Sequence, residues 1–346
     1  MMWPKNTPKK IIVRMPNWIG DAVMATPVLA DLAAFYPQAH LTAMCQGAVG
    51  ELLKEDPRID ELFIFKRLSI WDRRDAHRNL ILPLKRGLYD LGVLLPNSFS
   101  SAWIFWRGNV KNRLGYCGHY RRYLLNKALP FSKNIESQHQ VDTYKELLSP
   151  LGIPYSSTRP ELFLSEKEIQ EAKQLLFDLK FEQDAVIIGI NPGAAFGSAK
   201  CWLPDRFEQL THRLLKHPKV RILYFGDAQG SALVKSICAN MPSVVADLSG
   251  KTNLRQLMAL IKLCAFFITN DSGPMHMASA LGIPLVALFG STNDVRTSPY
   301  NGGTVIHKHV SCSPCYLRKC PYTHFRCMKE ISVDEVYSHI ARAIAL

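Results

Sequence analysis

Residues 269–290 have the sequence TNDSGPMHMASALGIPLVALFG. The apolar run 265–269 leading into them predicts a buried parallel strand, and the run 284–289 near their end predicts a second one. Between the two runs, residues 271–274 (DSGP) supply a capping residue, a glycine and a proline where a helix begins. The order strand, helix, strand predicts a βαβ unit with a tight turn at the helix start.

This turn is a candidate site for an anion. The first N–H groups of a helix have no intrahelical partner, and the positive end of the helix dipole lies beside them, so a phosphate fits there. His276, one turn into the helix, adds a further donor. The alternative is a well-capped helix of an ordinary α/β protein.

Size and composition indicate two globular domains. A chain of 346 residues is long for one core, and 47% hydrophobic with 21% charged residues is ordinary globular composition. No apolar run reaches the ~18 residues needed to cross a bilayer, and the amino terminus lacks the apolar core of a signal peptide. We therefore expect a cytoplasmic protein, in which nine cysteines are thiols or metal ligands rather than disulfides.

The formal net charge of +13 is unevenly distributed. No acidic residue lies between Asp90 and Glu136, and this span contains seven basic ones: Arg107, Lys111, Arg113, Arg121, Arg122, Lys127 and Lys133. Such a field attracts polyanions, whether nucleic acid, anionic lipid headgroups or a phosphorylated substrate. A solvated basic surface is the alternative.

Short apolar runs alternate with helical patterns in both halves of the chain, which predicts an α/β fold with doubly wound parallel sheets. The stretch 154–160, PYSSTRP, is the expected linker. We expect a first domain over residues 1–160 and a second over 161–330. A C-terminal helix within 331–346 is expected to pack on one of them.

Polar loops follow the predicted strands at 11–14, 91–95 and 185–190. Open α/β sheets bind ligands at the carboxyl ends of their strands, so Asp21 is a candidate functional residue, with a helix N-cap as the alternative. In the loop 191–200, NPGAAFGSAK, small residues let the backbone approach a ligand, and Lys200 supplies a charge. The spacing matches neither a Walker loop nor a dinucleotide fingerprint.

Four cysteines lie within sixteen residues near the carboxyl end, in CSPCYLRKCPYTHFRC. Their C-x2-C-x4-C-x6-C spacing lets four thiols close a tetrahedral zinc or iron–sulfur site, and free or redox-labile thiols are the alternative. Any metal here is expected to be structural. The four residues are Cys312, Cys315, Cys320 and Cys327.

Three motifs together resemble the family 9 glycosyltransferases: MPNWIGDAVM (15–24) with Pro27, NPGAAFGSAKCW (191–202) and TNDSGPMH (269–276). The blocks LPNSF (95–99) and RLGY (113–116) resemble the family too, and the similarity runs from about residue 11 to the final helix. The resemblance implies a GT-B fold, with two Rossmann-like domains whose parallel sheets face a central cleft. The acceptor is implied on the first domain and the nucleotide-sugar donor on the second.

The implied reaction is an inverting transfer of L-glycero-D-manno-heptose from ADP-heptose onto the first heptose of the lipopolysaccharide inner core. The acceptor is then a heptosylated Kdo-lipid A, and the chemistry requires no cofactor. The implied location is peripheral, at the inner face of the inner membrane, whose anionic surface suits the basic first half. Transfer of the first or third heptose, or of another core sugar, is the alternative within the family.

The resemblance also implies roles for particular residues. Asp21 is implied as the catalytic base and Lys200 as a ligand of the donor diphosphate. Ala194 and Ala195 occupy a donor-site turn where related enzymes carry hydroxyl residues or glutamate. The helix start contributes four further donor-site residues: Asp271, Ser272, Gly273 and His276. The implied acceptor residues are Asn97, Ser98, Arg113, Arg121 and Arg122.

Two alternative functions come from other classes of protein. A nucleic-acid-binding protein with a four-cysteine metal knob suits the positive charge, but the chain has no recognisable RNA- or DNA-binding motif, and the helix-start turn is left unexplained. A nicotinamide oxidoreductase is disfavoured by the missing glycine fingerprint. We therefore expect no nucleic-acid partner.

Overall fold

The structure, a computed structural model, describes residues 3–4, 6–66, 73–322 and 324–344. It divides into two compact units, residues 1–163 (unit 1) and 164–346 (unit 2). The last two residues of the expected C-terminal helix, 345 and 346, lie outside the described residues.

The described residues of unit 1 form six strands, β1 Lys10–Arg14, β2 His40–Gln46, β3 Glu61–Phe65, β4 Leu91–Leu94, β5 Asn112–Tyr116 and β6 Lys127–Leu129. Its α-helices are α1 Ile19–Met24, α2 Thr26–Phe35, α3 Gly47–Leu53, α4 Arg73–Ala76, α5 Leu82–Gly87, α6 Phe99–Arg107 and α7 Gln140–Glu146. A π-helical segment, His77–Ile81, joins α4 to α5, and 3₁₀ turns occur at Arg121–Leu124, Ile135–Ser137 and Ser149–Leu151.

Unit 2 also contains six strands, β7 Val186–Asn191, β8 Val220–Tyr224, β9 Val245–Asp247, β10 Phe266–Asn270, β11 Leu285–Phe289 and β12 Thr304–His307. Its α-helices are α8 Glu166–Asp178, α9 Pro204–Leu214, α10 Ser231–Cys238, α11 Leu254–Lys262, α12 Gly273–Ala280, α13 Asp294–Thr297, α14 Arg326–Lys329 and α15 Val333–Ile344. A 3₁₀ turn spans Ser198–Lys200.

The two sheets are parallel and have the same topology. The strand orders are β3-β2-β1-β4-β5-β6 and β12-β11-β10-β7-β8-β9. If the strands of each unit are numbered from one, both orders are 3-2-1-4-5-6, so the winding direction reverses between the first and fourth strands. Open α/β sheets bind ligands in the crevice at the carboxyl ends of those two strands, the switch point. The expected doubly wound α/β class is confirmed.

The central strands are buried on both faces, as their continuous apolar sequences predict. Every residue of β10 and β11 is buried. In α15, Val336 and Ile340 join the core of unit 2, so the C-terminal helix packs on that unit. No helix within the described ranges has the length and apolar character needed to cross a membrane.

Three strands without a sequence prediction, β6, β9 and β12, are the short strands at sheet edges. An edge strand is paired on one side and partly exposed, so it lacks the continuous apolar run that marks a central strand. The sequence pattern of residues 22–36 predicts one amphipathic helix, but the structure has two helices in this region, α1 and α2, which meet at Ala25. Pro27 lies in the first turn of α2, where its missing N–H costs no hydrogen bond.

Candidate active site

In unit 2, the switch point lies between the loop after β7 and the turn after β10. Asn270, the last residue of β10, is fully buried. Its Nδ2 donates to the Pro192 carbonyl at 2.7 Å, and its Oδ1 accepts from the Trp202 backbone N–H at 3.0 Å. This amide therefore fixes both ends of the β7 loop to the strand that carries the helix-start turn.

Asn191, the last residue of β7, makes the reciprocal connection. Its Nδ2 donates to the Gly193 carbonyl at 2.9 Å and to Ser272 Oγ at 3.3 Å. The two asparagines together hold the β7 loop and the turn after β10 as one polar edge, in which the buried amides are satisfied.

A charged group lies at the centre of this edge. Lys200 Nζ is 2.5 Å from Asp271 Oδ2, and the Thr292 hydroxyl donates to the same oxygen at 2.6 Å. Both charged side chains are largely buried, and Lys200 Nζ also lies 4.9 Å from the centroid of the Phe196 ring. An ammonium has three N–H donors, so the contact with Asp271 fixes the cation and leaves donor capacity for a second anion.

The α12 start lies beside this cation. Ser272 is its N-cap residue, but among the described residues its side chain makes no capping hydrogen bond. The Ser272 hydroxyl is instead within 3.0 Å of Thr269 Oγ1. The N–H groups of the first turn, which begins at Gly273, and the positive end of the dipole are thus suited to an anion. His276 is buried within α12.

Ala194 and Ala195 lie in the β7 loop, the first half-buried and the second exposed. The loop then turns at Gly197, whose φ is +151° and where an added Cβ would lie 2.3 Å from the Arg318 carbonyl oxygen. Only glycine fits this close approach. The same carbonyl accepts from the Ala199 N–H at 3.1 Å, so the segment that contains the four cysteines packs directly against the loop that carries Lys200.

In unit 1, a buried arginine organises the loop after β1. Arg14 Nη2 donates to Asn17 Oδ1 at 2.6 Å, its Nη1 donates to the Met15 carbonyl, and its guanidinium lies 4.7 Å from the Phe65 ring centroid. Burial lowers the pKa of Arg14 to about 10, although the neighbouring Cys45 thiol acts in the opposite direction. Arg14 thereby fixes the segment leading to Asp21.

Asp21 is half-buried in the first turn of α1. The N-cap residue is Trp18, because α1 begins at Ile19. The interpretation of Asp21 as an N-cap is therefore wrong. A carboxylate in the first turn still interacts favourably with the helix dipole, and this weaker structural role is the one to separate from catalysis.

A second buried arginine organises the loop after β4. Arg121 is fully buried, its Nε donates to the Tyr116 carbonyl at 2.8 Å, and its Nη1 donates to the Pro96 carbonyl. Burial lowers its pKa to about 10, while Cys117 raises it. The structure thus places Arg121 beneath the loop that carries Asn97 and Ser98, where it supports the loop from within the core.

The other expected acceptor residues lie around this loop. Ser98 is the N-cap of α6 and accepts from the Ser101 N–H at 3.3 Å, while Asn97 is half-buried. Arg113 donates to the carbonyls of Leu124 and Val110, and Arg122 is exposed. Of the three arginines, only Arg122 is exposed.

Among the described residues, no three of the four cysteine sulfur atoms lie within 4.8 Å of one another. Burial first, and then the charges of the other three, raises the pKa of Cys327 to about 11. All four are free thiols, and three of them are half-buried. Binding of one metal ion by these thiols would therefore require their sulfur atoms to move closer together.

Several residues that shape these loops had no predicted role: Arg14, Asn191, Asn270 and Thr292. Three of them share one sequence signal, a polar residue that closes an apolar strand. Thr292 follows β11 by three residues, and no local pattern marks it, because its partner Asp271 is distant in sequence.

The chain is similar to known proteins over most of its length. The profile of glycosyltransferase family 9 (heptosyltransferase) matches residues 77–326. Lipopolysaccharide heptosyltransferase 2 of Salmonella typhimurium is 32% identical over 84% of this chain and 85% of its own. Lipooligosaccharide heptosyltransferase 2 of Campylobacter jejuni is 29% identical over 94% of this chain and 96% of its own.

A solved structure, ADP-heptose lps heptosyltransferase II of E. coli, has a TM-score of 0.80 and 28% identity, and covers 97% of this chain and 98% of its own. The match extends through both units and confirms the GT-B fold class. It also favours glycosyl transfer over the nucleic-acid and nicotinamide alternatives. The chain belongs to glycosyltransferase family 9, the heptosyltransferase family.

Proposed function

We propose that the protein transfers L-glycero-D-manno-heptose from ADP-heptose onto the first heptose of the lipopolysaccharide inner core, with inversion at the anomeric carbon. The observation that carries the proposal is the polar edge of unit 2, where Lys200 is fixed by Asp271 beside the α12 start. A cation next to backbone N–H donors suits a diphosphate. The relatives named heptosyltransferase 2, and the solved structure named ADP-heptose lps heptosyltransferase II, support a heptose as the transferred sugar and lipopolysaccharide as the acceptor.

In this proposal, unit 2 binds the donor and stabilises its departure. Negative charge grows on the diphosphate as the bond to the sugar breaks, so a cation fixed in advance stabilises the transition state more than the ground state. Lys200 supplies the charge, and the turn from Asp271 to His276 supplies backbone donors and the dipole. Ala194 and Ala195 leave room for the ligand to approach the backbone.

Unit 1 supplies the base and the acceptor site. An inverting transfer needs a group that takes the proton from the acceptor hydroxyl as this hydroxyl attacks the anomeric carbon. Asp21 is the only carboxylate in the sequence of the loops 15–21 and 96–101, and Gly20 before it allows close approach. The acceptor contacts are then Asn97, Ser98, Arg113 and Arg122, in or around the loop 96–101. Arg121 acts indirectly, through the loop that it supports.

The exposed surface near Arg122 supports a peripheral location at the inner face of the inner membrane. Tyr120 and Tyr123 flank this arginine and are 91% and 90% exposed. Aromatic rings next to cations suit the headgroup region of an anionic membrane. Co-sedimentation with anionic vesicles tests this location, and equal binding to neutral and anionic vesicles contradicts it.

We also propose that Cys312, Cys315, Cys320 and Cys327 bind one structural metal ion, with zinc as the expected metal, and that the transfer chemistry itself needs no cofactor. Support comes from the C-x2-C-x4-C-x6-C spacing of the four thiols and from the packing of Arg318 against the Lys200 loop. Metal analysis should find about one equivalent bound by thiolates. Full activity without any thiolate-bound metal contradicts the proposal.

The transfer itself is tested by incubation with ADP-heptose and truncated lipid acceptors, followed by mass spectrometry of the lipid. We expect the mass to rise by one heptose on an acceptor that already carries one heptose. Transfer only to an acceptor without heptose, or only to one with two, assigns a different step. Absence of transfer from ADP-heptose to all three acceptors contradicts the proposal.

A further inference from the structure

Three potential metal ligands, none of them a cysteine, converge at the carboxyl edge of the unit 2 sheet. Asp294 is the first residue of α13, His307 is the last residue of β12, and His309 follows it. β11 and β12 are parallel neighbours, with Phe289 opposite His307. The segments that leave the two strands therefore meet at the same edge.

The distances among the three side chains are those of ligands that share an ion. Asp294 Oδ1 is 3.0 Å from His307 Nδ1, and Asp294 Oδ2 is 3.5 Å from His309 Nε2. One ligand atom from each residue lies within 4.8 Å of the other two. Two ligands bound at about 2.1 Å and separated by about 90° to 110° lie about 3.0 to 3.4 Å apart.

The tautomer of His307 is set by Ser313. The Ser313 hydroxyl donates to the Gly290 carbonyl, and Ser313 Oγ is 2.8 Å from His307 Nε2. Because the hydroxyl proton is used by the carbonyl, Ser313 Oγ accepts from Nε2–H. The lone pair of a neutral His307 is therefore on Nδ1, the nitrogen that faces Asp294.

The His307 Nδ1 atom is buried beside a carboxylate. The His307 side chain is 1% exposed, Asp294 Oδ1 lies 3.0 Å from Nδ1, and within the described residues Nδ1 makes no hydrogen bond of normal geometry. A nitrogen lone pair that faces a carboxylate inside a protein is unfavourable, and a cation between them, either a proton on Nδ1 or a metal ion, removes the repulsion. Metal-binding histidines commonly donate their other N–H to an oxygen, as His307 does to Ser313.

We propose that Asp294, His307 and His309 bind a divalent first-row transition-metal ion, of the zinc or iron(II) type. Two imidazoles and one carboxylate suit these ions. The His309 side chain is 66% exposed, so the ion enters from solvent and retains water in its remaining positions. The site is separate from the four thiols and uses no sulfur ligand.

The ion would act on the donor turn through one short loop. By binding both Asp294 and the histidines at the end of β12, the ion would fix the segment 290–294 at its carboxyl end. Thr292 lies within this segment, and its hydroxyl holds the Asp271 carboxylate that positions Lys200. The ion would therefore have a structural role: it would order the turn after β10 without contacting the transferred sugar.

The test is the zinc-binding stoichiometry of metal-depleted full-length protein, measured with added Zn²⁺ alone for wild type and His309→Asn. His309 has a φ of +43°, which asparagine tolerates well, so the exposed variant should fold. His212→Asn is the control, because His212 is an exposed histidine of unit 2 that pairs with Glu208. We expect His309→Asn to bind one equivalent fewer than wild type and than the control. The difference holds whether or not the thiols bind a second ion.

Two further measurements sharpen this result. With Co²⁺, the spectrum lost in His309→Asn should contain d–d bands without thiolate charge transfer. Ser313→Ala should keep the stoichiometry but weaken zinc affinity by about 10- to 100-fold, the usual effect of removing the partner of a ligating histidine. Equal stoichiometry and affinity in wild type and His309→Asn overturn the proposal, as does a lost spectrum that contains thiolate charge transfer.

Discussion

The two units share one strand order but hold their switch-point loops by opposite means. In unit 1, the buried guanidinium groups of Arg14 and Arg121 donate to backbone carbonyls beneath the loops. In unit 2, two asparagines bridge the loops, and the Asp271 carboxylate is held between Lys200 and a hydroxyl. Unit 1 therefore uses cations as internal supports and places a carboxylate, Asp21, at its edge, whereas unit 2 places a cation at the same position.

This difference shows how one topology serves two chemical tasks. The sheet determines where ligands bind, at the carboxyl ends of its first and fourth strands, but the charge at that edge depends on a few side chains in the loops. In our account, the edge with the carboxylate serves proton removal and the edge with the cation binds the diphosphate. Substitutions at each edge should therefore have separable effects.

The largest effect is expected from Asp21→Asn, which removes the proposed base. We expect kcat to fall by about 10² to 10⁴, the usual range for loss of a general base, while the fold is kept. Asp205→Asn is the matched control, because Asp205 also lies in the first turn of a helix, α9, and is exposed. If Asp21 serves only the helix dipole, both variants should cost little and transfer heptose at similar rates.

Lys200→Ala should have the next largest effect. Loss of the fixed cation should lower kcat/KM by about 10²-fold or more, comparable to a lost oxyanion donor, and should leave Asp271 buried without its ion pair. Steady-state kinetics with ADP-heptose measure the change, and Lys235→Ala, at an exposed position of α10, should behave like wild type. Wild-type kinetics in a folded Lys200→Ala protein would remove this lysine from the donor site.

Arg121→Met tests the support beneath the unit 1 loop. Removing the guanidinium leaves buried carbonyls, including that of Tyr116, without donors, so we expect unfolding to become easier by about 2 to 3 kcal/mol. KM for the lipid acceptor should rise, and ADP affinity should not change. Denaturant unfolding measures the loss of stability, and Arg122→Met, at the neighbouring exposed position, is the control. A larger stability loss in Arg122→Met than in Arg121→Met would contradict the assignment.

The smallest effect concerns an ion pair in unit 2 that titrates in acid. Arg255 donates to both carboxylate oxygens of Glu168, at 2.7 and 2.6 Å. This contact is the largest cause that lowers the pKa of Glu168 from 4.5 to about 2; hydrogen bonds from Ser165 add to it, and burial opposes it. Since the folded-state pKa lies below the unfolded value, the stabilisation is present above about pH 4.5 and is lost as the pH falls toward 2.

Glu168→Gln should therefore destabilise the protein by about 1 to 2 kcal/mol at pH 7, after allowance for partial exposure, and the difference from wild type should shrink below pH 4.5. Denaturant unfolding across this pH range measures both values. The control is Glu171→Gln, in which an exposed pair with Lys167 on the same helix is changed. A difference between Glu168→Gln and wild type that stays constant from pH 7 to pH 3 would contradict the ion-pair explanation.

The sequence predicted the central strands and the switch-point loops because burial on both faces leaves continuous apolar runs that end in polar residues. It did not predict the edge strands β6, β9 and β12, where one-sided pairing relaxes that pattern. The role of Arg121 also required the structure, because a charged residue in an acid-free span suggests a surface position, whereas this one is fully buried. Contacts between distant segments, such as Thr292 with Asp271, leave no local signal.

The central claim is that the edge of unit 1 serves proton removal and the edge of unit 2 binds the diphosphate. The most direct test is calorimetric titration of ADP into three full-length proteins: wild type, Asp21→Asn and Lys200→Ala. We predict that Asp21→Asn binds ADP as wild type does although its turnover is lost. Lys200→Ala should bind more weakly by about 1.5 to 3 kcal/mol, the contribution of a hydrogen bond to a charged group. Equal weakening in both variants, or wild-type affinity in Lys200→Ala, would contradict the claim.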